Sequence, residues 1–236
     1  MTSLNIDTLA ESFKQKIVRK AIVMDIGGFK PSDDPMESWF GKVCFAKPNE
    51  QWPLQKGKPM FALAQINLTQ FPFKPRALAD IEFITLFIGP EGLPDSEPNG
   101  SNWLLRAYTS TDELVPLAQV KTNSWIKPFP MKARVVDEDF PCWEDLPIEC
   151  PEALDEQYYD RFQNEYGFKF GGWPSLVQAE IYWAPNNQHE AIPEYVFQVD
   201  STDKGNWMWG DNGVGYYGRG TAPGHIDEWV MEWQCY

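Results

Sequence analysis

The chain has 236 residues, 43% of them hydrophobic and 23% charged, with 20 Lys and Arg against 34 Asp and Glu for a formal charge of −14. That apolar share is enough for a sizeable core and excludes disorder over the whole length, while no run approaches the ~20 apolar residues of a spanning helix. The anionic excess argues against nucleic acid as a partner, because phosphate binding needs clustered cations.

In chain order, the N-terminus lacks the basic and apolar regions of a secretory signal, so no membrane association and a cytoplasmic location are expected. Asp7 or Thr8 is placed to cap a helix whose apolar residues Leu9, Phe13 and Ile17 recur every fourth position. Lys14, Lys16, Arg19 and Lys20 gather toward its C-terminal half, which suits the helix dipole. Ala21 to Ile26 reads as a strand stopped by Gly27-Gly28, followed by a Pro-, Asp- and Ser-rich loop from Pro31 to Pro35. Met60 to Leu68 is apolar on both pleat faces, as in a central strand, and Asp80 to Ile88 is a second strand ended by Gly89-Pro90. Glu91 to Ser101 is a turn-rich loop. Strands are predicted at Trp103–Thr109, Leu114–Val120 and Lys132–Val136. Pro151 opens a helix with Leu154, Tyr158 and Phe162 on its buried stripe and Gly167 as its stop. Aromatic strands punctuated by glycines close the chain from Leu176 to Tyr236.

Charge is unevenly distributed. Residues 135–236 hold four basic groups against twenty acidic ones, and residues 135–160 contain ten carboxylates with no Lys or Arg. Such a run reads as a solubilising face, as a docking surface that steers a cationic protein, or as a cation-binding cluster. The residues singled out for partner contact are Asp137, Glu138, Asp139, Glu144 and Asp145, with Trp143 as an aromatic anchor.

An internal similarity is visible as well. Phe61-Ala62-Leu63-Ala64-Gln65-Ile66-Asn67 aligns with Glu194-Tyr195-Val196-Phe197-Gln198-Val199-Asp200, and eighteen residues beyond each Gln lie Phe83 and Tyr216. The expected fold is therefore α+β with a few helices, two similar halves (about 1–136 and 151–236) packed as one unit through an acidic segment at 137–150.

The order and spacing of Ile17-Val18-Arg19-Lys20-Ala21-Ile22, Phe40-Gly41, Trp52-Pro53 and Phe61 to Leu68 resemble the YwqG-like family of bacterial proteins, a domain of unknown function. Phe170-Gly171-Gly172-Trp173-Pro174 to Gln178, Phe197 to Ser201 and Trp209-Gly210-Asp211-Asn212-Gly213 carry the same resemblance, which runs from about residue 15 to the C-terminus. Lys42, where a second glycine is usual, and inserts near 91–100 and 137–150 depart from it. The resemblance implies a mixed, mainly antiparallel architecture over one domain spanning 1–236. It supplies no catalytic residues, and through relatives that neighbour toxin genes it implies an immunity or antitoxin role.

Chemistry-bearing groups are sparse. Cys44, Cys142, Cys150 and Cys235 stand far apart and only His189 and His225 are present, so no zinc pattern is read and reduced thiols are expected. Asp200 and Asp211 sit at turns, where hard-oxygen cation binding competes with ordinary turn chemistry, and the latter is preferred, with no metal or cofactor expected. Gln65 and Gln198 are either satisfied core amides or two amides converging on a ligand, with Trp209 as a possible stacking surface. His225 with Asp227 and Cys235, or His189 with Glu190, could supply a nucleophilic set, yet no Gly-x-Ser-x-Gly elbow or phosphate loop exists. The expectation is a non-enzymatic cytoplasmic binding protein that neutralises a basic toxin. The alternative is a small-molecule or carbohydrate-processing protein with a carboxylate-lined cleft, built on Gln65, Gln198, Asp200, Trp209 and Asp211.

Overall fold

The computed structural model describes residues 3–95, 97–184 and 188–236. Helix α1 (Ser3–Ile17) is followed by β1 (Arg19–Ile26), β2 (Trp39–Phe40), β3 (Phe45–Ala46), β4 (Leu54–Gln55), β5 (Lys58–Pro59), β6 (Phe61–Asn67), β7 (Phe83–Ile88) and β8 (Trp103–Tyr108). Then come β9 (Val115–Pro116), β10 (Phe129–Asp139), the one-turn helix α2 (Tyr158–Arg161), β11 (Lys169–Gly171), β12 (Glu194–Asp200), β13 (Val214–Arg219) and β14 (Trp229–Gln234). Ten strands form one antiparallel sheet in the order β14-β13-β12-β11-β1-β10-β2-β6-β7-β8. The pairs β3-β9 and β4-β5 stand apart as small ribbons.

The sheet curls toward closure. Trp103 of β8 packs on Tyr217 of β13 with ring centroids 5.8 Å apart, although these strands lie near opposite ends of the order. The Trp233 indole donates to the Pro94 carbonyl at 2.6 Å, and Arg219 grips Asp80 with two bonds of 2.7 and 2.8 Å. The enclosed core draws Ile22, Phe40, Leu63, Leu86, Phe197 and Trp229 from strands across the whole sheet. β6 and β7 are buried at every residue, as expected of strands covered on both faces.

The arms flanking the central β1-β10 pair share local geometry. The β6-β7 ladder shifts register between Ala62 and Ala64, and the β12-β13 ladder between Tyr195 and Phe197, the same two places in the aligned segments. Gln65 accepts from the Cys44 N–H and donates to the Glu37 carbonyl, both at 2.8 Å. Gln198 accepts from the Ser175 N–H at 2.9 Å and donates to the Gly167 carbonyl at 3.3 Å. Each amide thus ties together the backbone on either side of the short strand beside it. The eighteen-residue spacing does not carry through: Phe83 faces Asn67, whereas Tyr216 faces Gln198, whose counterpart Gln65 is opposed by Thr85.

Other expectations are corrected. α1 already includes Ser3, so Asp7 and Thr8 lie inside it rather than at its cap, and Asp7 pairs with Arg161 at 3.1 Å. Arg19 and Lys20 belong to β1, beyond the helix end they were expected to favour. The segment 114–120 contributes only Val115–Pro116, since Pro116 has no N–H to offer a longer ladder. The helix after Pro151 is a 3₁₀ segment over Glu152–Gln157 that widens into the single α-turn of α2. Its stripe is still the buried one: Leu154, Tyr158 and Phe162 cluster with Phe13 and Ile17 of α1, and the Phe13 and Phe162 rings meet edge-on at 5.6 Å. Gly215 and Gly218 are not turn residues but interior positions of β13. A Cβ on Gly215 would stand 2.6 Å from the Trp209 ring, and one on Gly218 would stand 2.9 Å from the Trp183 indole nitrogen.

Candidate functional site

β10 ends at Asp139, which faces Arg19 of β1 in register and whose side chain is fully buried. Its oxygens accept from the Glu165 N–H and the Trp173 N–H, both at 2.7 Å, and from the Lys169 ammonium at 3.1 Å. Gly172 makes this approach possible: its φ is +65°, and a Cβ there would overlap the Asp139 carboxylate at 2.1 Å. Lys169, itself fully buried on β11, also donates to the Glu165 carbonyl at 2.5 Å. The network continues through Ser175, Gln198 and Asp200. Gln198 donates to the Ser175 hydroxyl at 3.0 Å and to Asp200 at 2.8 Å, and Asp200 accepts from the Gly167 N–H at 2.7 Å. Burial pushes the Asp139 carboxyl up and the Lys169 ammonium down, with their mutual attraction opposing both. Burial also raises Asp200 to about 6, against the pull of the Gly167 N–H and the Gln198 amide.

This polar network underlies a surface cleft of about 320 Å³ lined by Arg19, Asp145, Trp173, Trp183, Glu194 and Tyr195, among others. The Arg19 guanidinium lies 3.3 Å above the Trp173 ring centre, a stacked cation–π contact. Trp173 is fixed from behind, donating its indole N–H to the Ile17 carbonyl at the end of α1 (2.7 Å). Trp183 fits against the bare backbone of Gly218, and the Tyr195 hydroxyl reaches down to Gln198 at 3.1 Å, joining cleft to network. Although Asp145 and Glu194 share the cleft, Arg19 forms no ion pair within 4.0 Å among the described residues. Asp145 is raised to about 6, by burial first, with Arg19 pulling the other way and Glu180 and Glu144 adding to the rise.

The acidic segment divides into parts with different fates. Asp139 cannot meet a partner, because its carboxylate is spent on Lys169 and two backbone N–H groups inside the fold. Asp137 and Glu138 are exposed but already paired, with Lys20 at 2.8 Å and Lys14 at 2.6 Å. Trp143, Glu144 and Asp145 form a 3₁₀ turn at the cleft edge. Trp143 is 39% exposed and packs edge-on against Tyr158 at 5.3 Å, with Tyr159 61% and Ile148 39% exposed on the same stretch of chain. Glu144, Glu149, Glu152, Asp155, Glu156 and Asp160 are exposed and enter no ion pair among the described residues.

The ligand residues expected from sequence do not assemble. Gln198 and Asp200 meet inside the buried network, whereas Gln65 lies on β6, with β2, β10, β1 and β11 between it and β12. Trp209 is fully buried in the main core against Gly215. Asp211 is on an exposed turn beside Asn212 (φ +51°), and its carbonyl accepts from the Tyr236 N–H at 3.1 Å. Among the described residues no three His, Cys, Asp or Glu side chains are arranged to hold a metal. His225, bonded to Glu228 at 2.6 Å, and Cys235 lie at opposite ends of the β13-β14 hairpin and form no nucleophilic pair. The sequence reading missed the cleft itself. Trp173 stood within the Gly-Gly-Trp-Pro signature without a role, and Arg19 was assigned to the helix dipole.

A mainly antiparallel α+β fold with a cleft at the end of its central strand pair is the class defined here. The chain belongs to the family described as Domain of unknown function (DUF1963), whose model matches residues 38–235. Among curated proteins none matches the chain. Among the described residues no helix is long and apolar enough to cross a membrane.

Proposed function

We propose that this protein is a non-enzymatic, cytoplasmic binding protein that docks a basic protein partner on the face running from Trp143 to Asp160, in the manner of an immunity protein covering a toxin's working surface. The observation that carries the reading is the six exposed carboxylates that enter no ion pair among the described residues, on the same stretch of chain as the exposed Trp143, Tyr159 and Ile148. Aromatic anchors ringed by uncompensated charge supply the two parts of a steered interface: area buried on contact, and long-range attraction that raises the association rate. Unlike the sequence-based reading, this one leaves out Asp139 and assigns Asp137 and Glu138 a peripheral place.

Cross-linking in the native host, followed by mapping of the linked residues, tests it. Links from a basic protein concentrated on residues 143–160, with a complex that weakens as salt rises, are expected. Links elsewhere, or a complex indifferent to salt, reject it. A second reading has a specific observation in its favour: Asp145 and Glu194 line a cleft that also holds three aromatic rings and the Arg19 guanidinium, which donates to the Gly172 carbonyl at 3.4 Å but enters no ion pair among the described residues, a setting suited to a small polar molecule.

We also infer that the chain is a single domain of the YwqG-like group whose two halves descend from duplication of one sheet unit. The matched bulges and the matched amide ties of Gln65 and Gln198 support that descent.

A further inference from the structure

The two ends of the central β1-β10 pair carry opposite charge. At the end where Arg19 faces Asp139 lies the acidic segment, whose Trp143–Asp145 turn borders the cleft. At the other end Ile26 faces Met131, roughly 24 Å away at about 3.4 Å per residue. There the stretch 121–128 meets the loop 202–208. The Lys127 N–H donates to the Gly205 carbonyl at 2.8 Å, the Asn206 side-chain amide to the Trp125 carbonyl at 3.0 Å, and the Lys204 ammonium to the Ile26 carbonyl at 2.6 Å. Residues 114–136 hold four basic groups and no carboxylate, the reverse of the run that follows. Lys121, Lys127 and Lys204 are exposed and enter no ion pair among the described residues, with Asp203 beside Lys204 offsetting one of them. Trp125 is 54% exposed, its ring edge-on to Phe61 at 5.1 Å, and Met208 is 45% exposed.

Each end thus carries what the other lacks. Lysines beside an exposed indole and thioether at one end match carboxylates beside Trp143, Tyr159 and Ile148 at the other, in charge and in apolar area. We propose that the chain associates head to tail with a second copy of itself, Trp125 and its lysines seating on residues 143–160 of the next molecule. A bilayer surface fits the basic end less well, since one indole and one thioether leave little to insert and three lysines little to hold. The net charge of −14 opposes the approach of two copies, but at physiological salt it is screened beyond about 8 Å, whereas the facing charges meet at contact. The two patches are different parts of one surface, so the contact is heterologous and every assembly keeps one free end of each kind unless it closes into a ring. The acidic face is the one assigned above to a basic partner, yet this association needs no such partner; where both exist, they compete for residues 143–160.

Sedimentation velocity of the full chain at physiological salt, from micromolar to millimolar concentration, tests the proposal. The natural chain should form species that grow past the dimer as concentration rises. Lys121→Glu with Lys127→Glu reverses the basic end, and Glu144→Gln with Glu149→Gln and Glu156→Gln neutralises half of the acidic face. All five side chains are exposed and enter no ion pair among the described residues, so thermal unfolding should find both variants folded. Each variant alone should associate roughly tenfold or more weakly than the natural chain. Their equimolar mixture should regain the natural affinity but stop at a one-to-one pair, because a single intact basic end and a single intact acidic end remain between them. The proposal is overturned if the natural chain stays monomeric throughout, if either variant assembles as well as the natural chain, or if the mixture fails to pair. A monomeric chain captured by phosphatidylserine vesicles overturns it in favour of a membrane surface. Either failure leaves the cross-linking test of the docking face standing.

Discussion

Replacing Lys169 by Met removes the only ammonium from a fully buried network and leaves the Asp139 carboxylate with the Glu165 and Trp173 N–H groups alone. Breaking one side of a buried pair typically costs about 3–5 kcal/mol, because the surviving charge stays desolvated. Here the Glu165 carbonyl and the Ser175 hydroxyl each lose one donor as well, the carbonyl keeping the Ser175 hydroxyl and the hydroxyl keeping the Gln198 amide. Asp139→Asn should cost a similar amount: one of the two backbone N–H groups then faces an amide NH₂, at about 1–3 kcal/mol, and Lys169 remains charged in the interior. The double variant Asp139→Asn/Lys169→Met removes both charges, so its loss should fall short of the sum by roughly 2 kcal/mol. Urea unfolding followed by tryptophan fluorescence measures all three. A loss below about 1 kcal/mol for Lys169→Met, or additivity within ~0.5 kcal/mol, would refute the claim that this pair supports the wall of the cleft. A protonated Asp139 is better tolerated without its lysine, so Lys169→Met should also recover stability as the pH falls, relative to the natural chain.

Further outcomes follow from the same geometry. Asp200 is raised to about 6, so the folded chain holds that proton more tightly than the unfolded one; the stabilisation is full below about pH 4 and fades as the pH rises through about 6. Urea midpoints at pH 4.5 and 7.5 (chosen to bracket that range) should therefore show roughly 2 kcal/mol less pH dependence in Asp200→Asn than in the natural chain, and equal slopes would contradict the burial assigned to it. Gln65→Ala strips partners from the Cys44 N–H and the Glu37 carbonyl and should destabilise by about 1–3 kcal/mol per group left unsatisfied, measured the same way. Phe13→Ala empties the contact between α1 and the 152–162 segment and should cost about 3–5 kcal/mol in thermal unfolding. Trp143→Ala, on an exposed ring, should change stability by under ~1 kcal/mol yet sharply reduce partner capture.

The amino-acid pattern alone determined the strands whose side chains leave no ambiguity of face. Phe61–Asn67 and Phe83–Ile88 are apolar on both pleat faces, and a run that can be covered on both sides reads as an interior strand wherever it lies. It determined the buried stripe Leu154, Tyr158 and Phe162, because four-residue spacing survives the change from α to 3₁₀ within a turn or two. It also placed Gln65 and Gln198 in matching positions, since an amide in an otherwise apolar strand must find partners.

Only tertiary structure decided what the carboxylates do. Asp137, Glu138 and Asp139 are adjacent and chemically alike, yet one is sealed against Lys169, thirty positions away, and two face surface lysines of α1 and β1. Nothing local in the chain distinguishes them, because the difference lies in which side of β10 each side chain leaves and what β11 brings opposite. The cleft was unreadable for the same reason. Arg19, Asp145, Trp173 and Glu194 become neighbours only when β1 pairs with both β10 and β11, a contact set by long-range register rather than by periodicity.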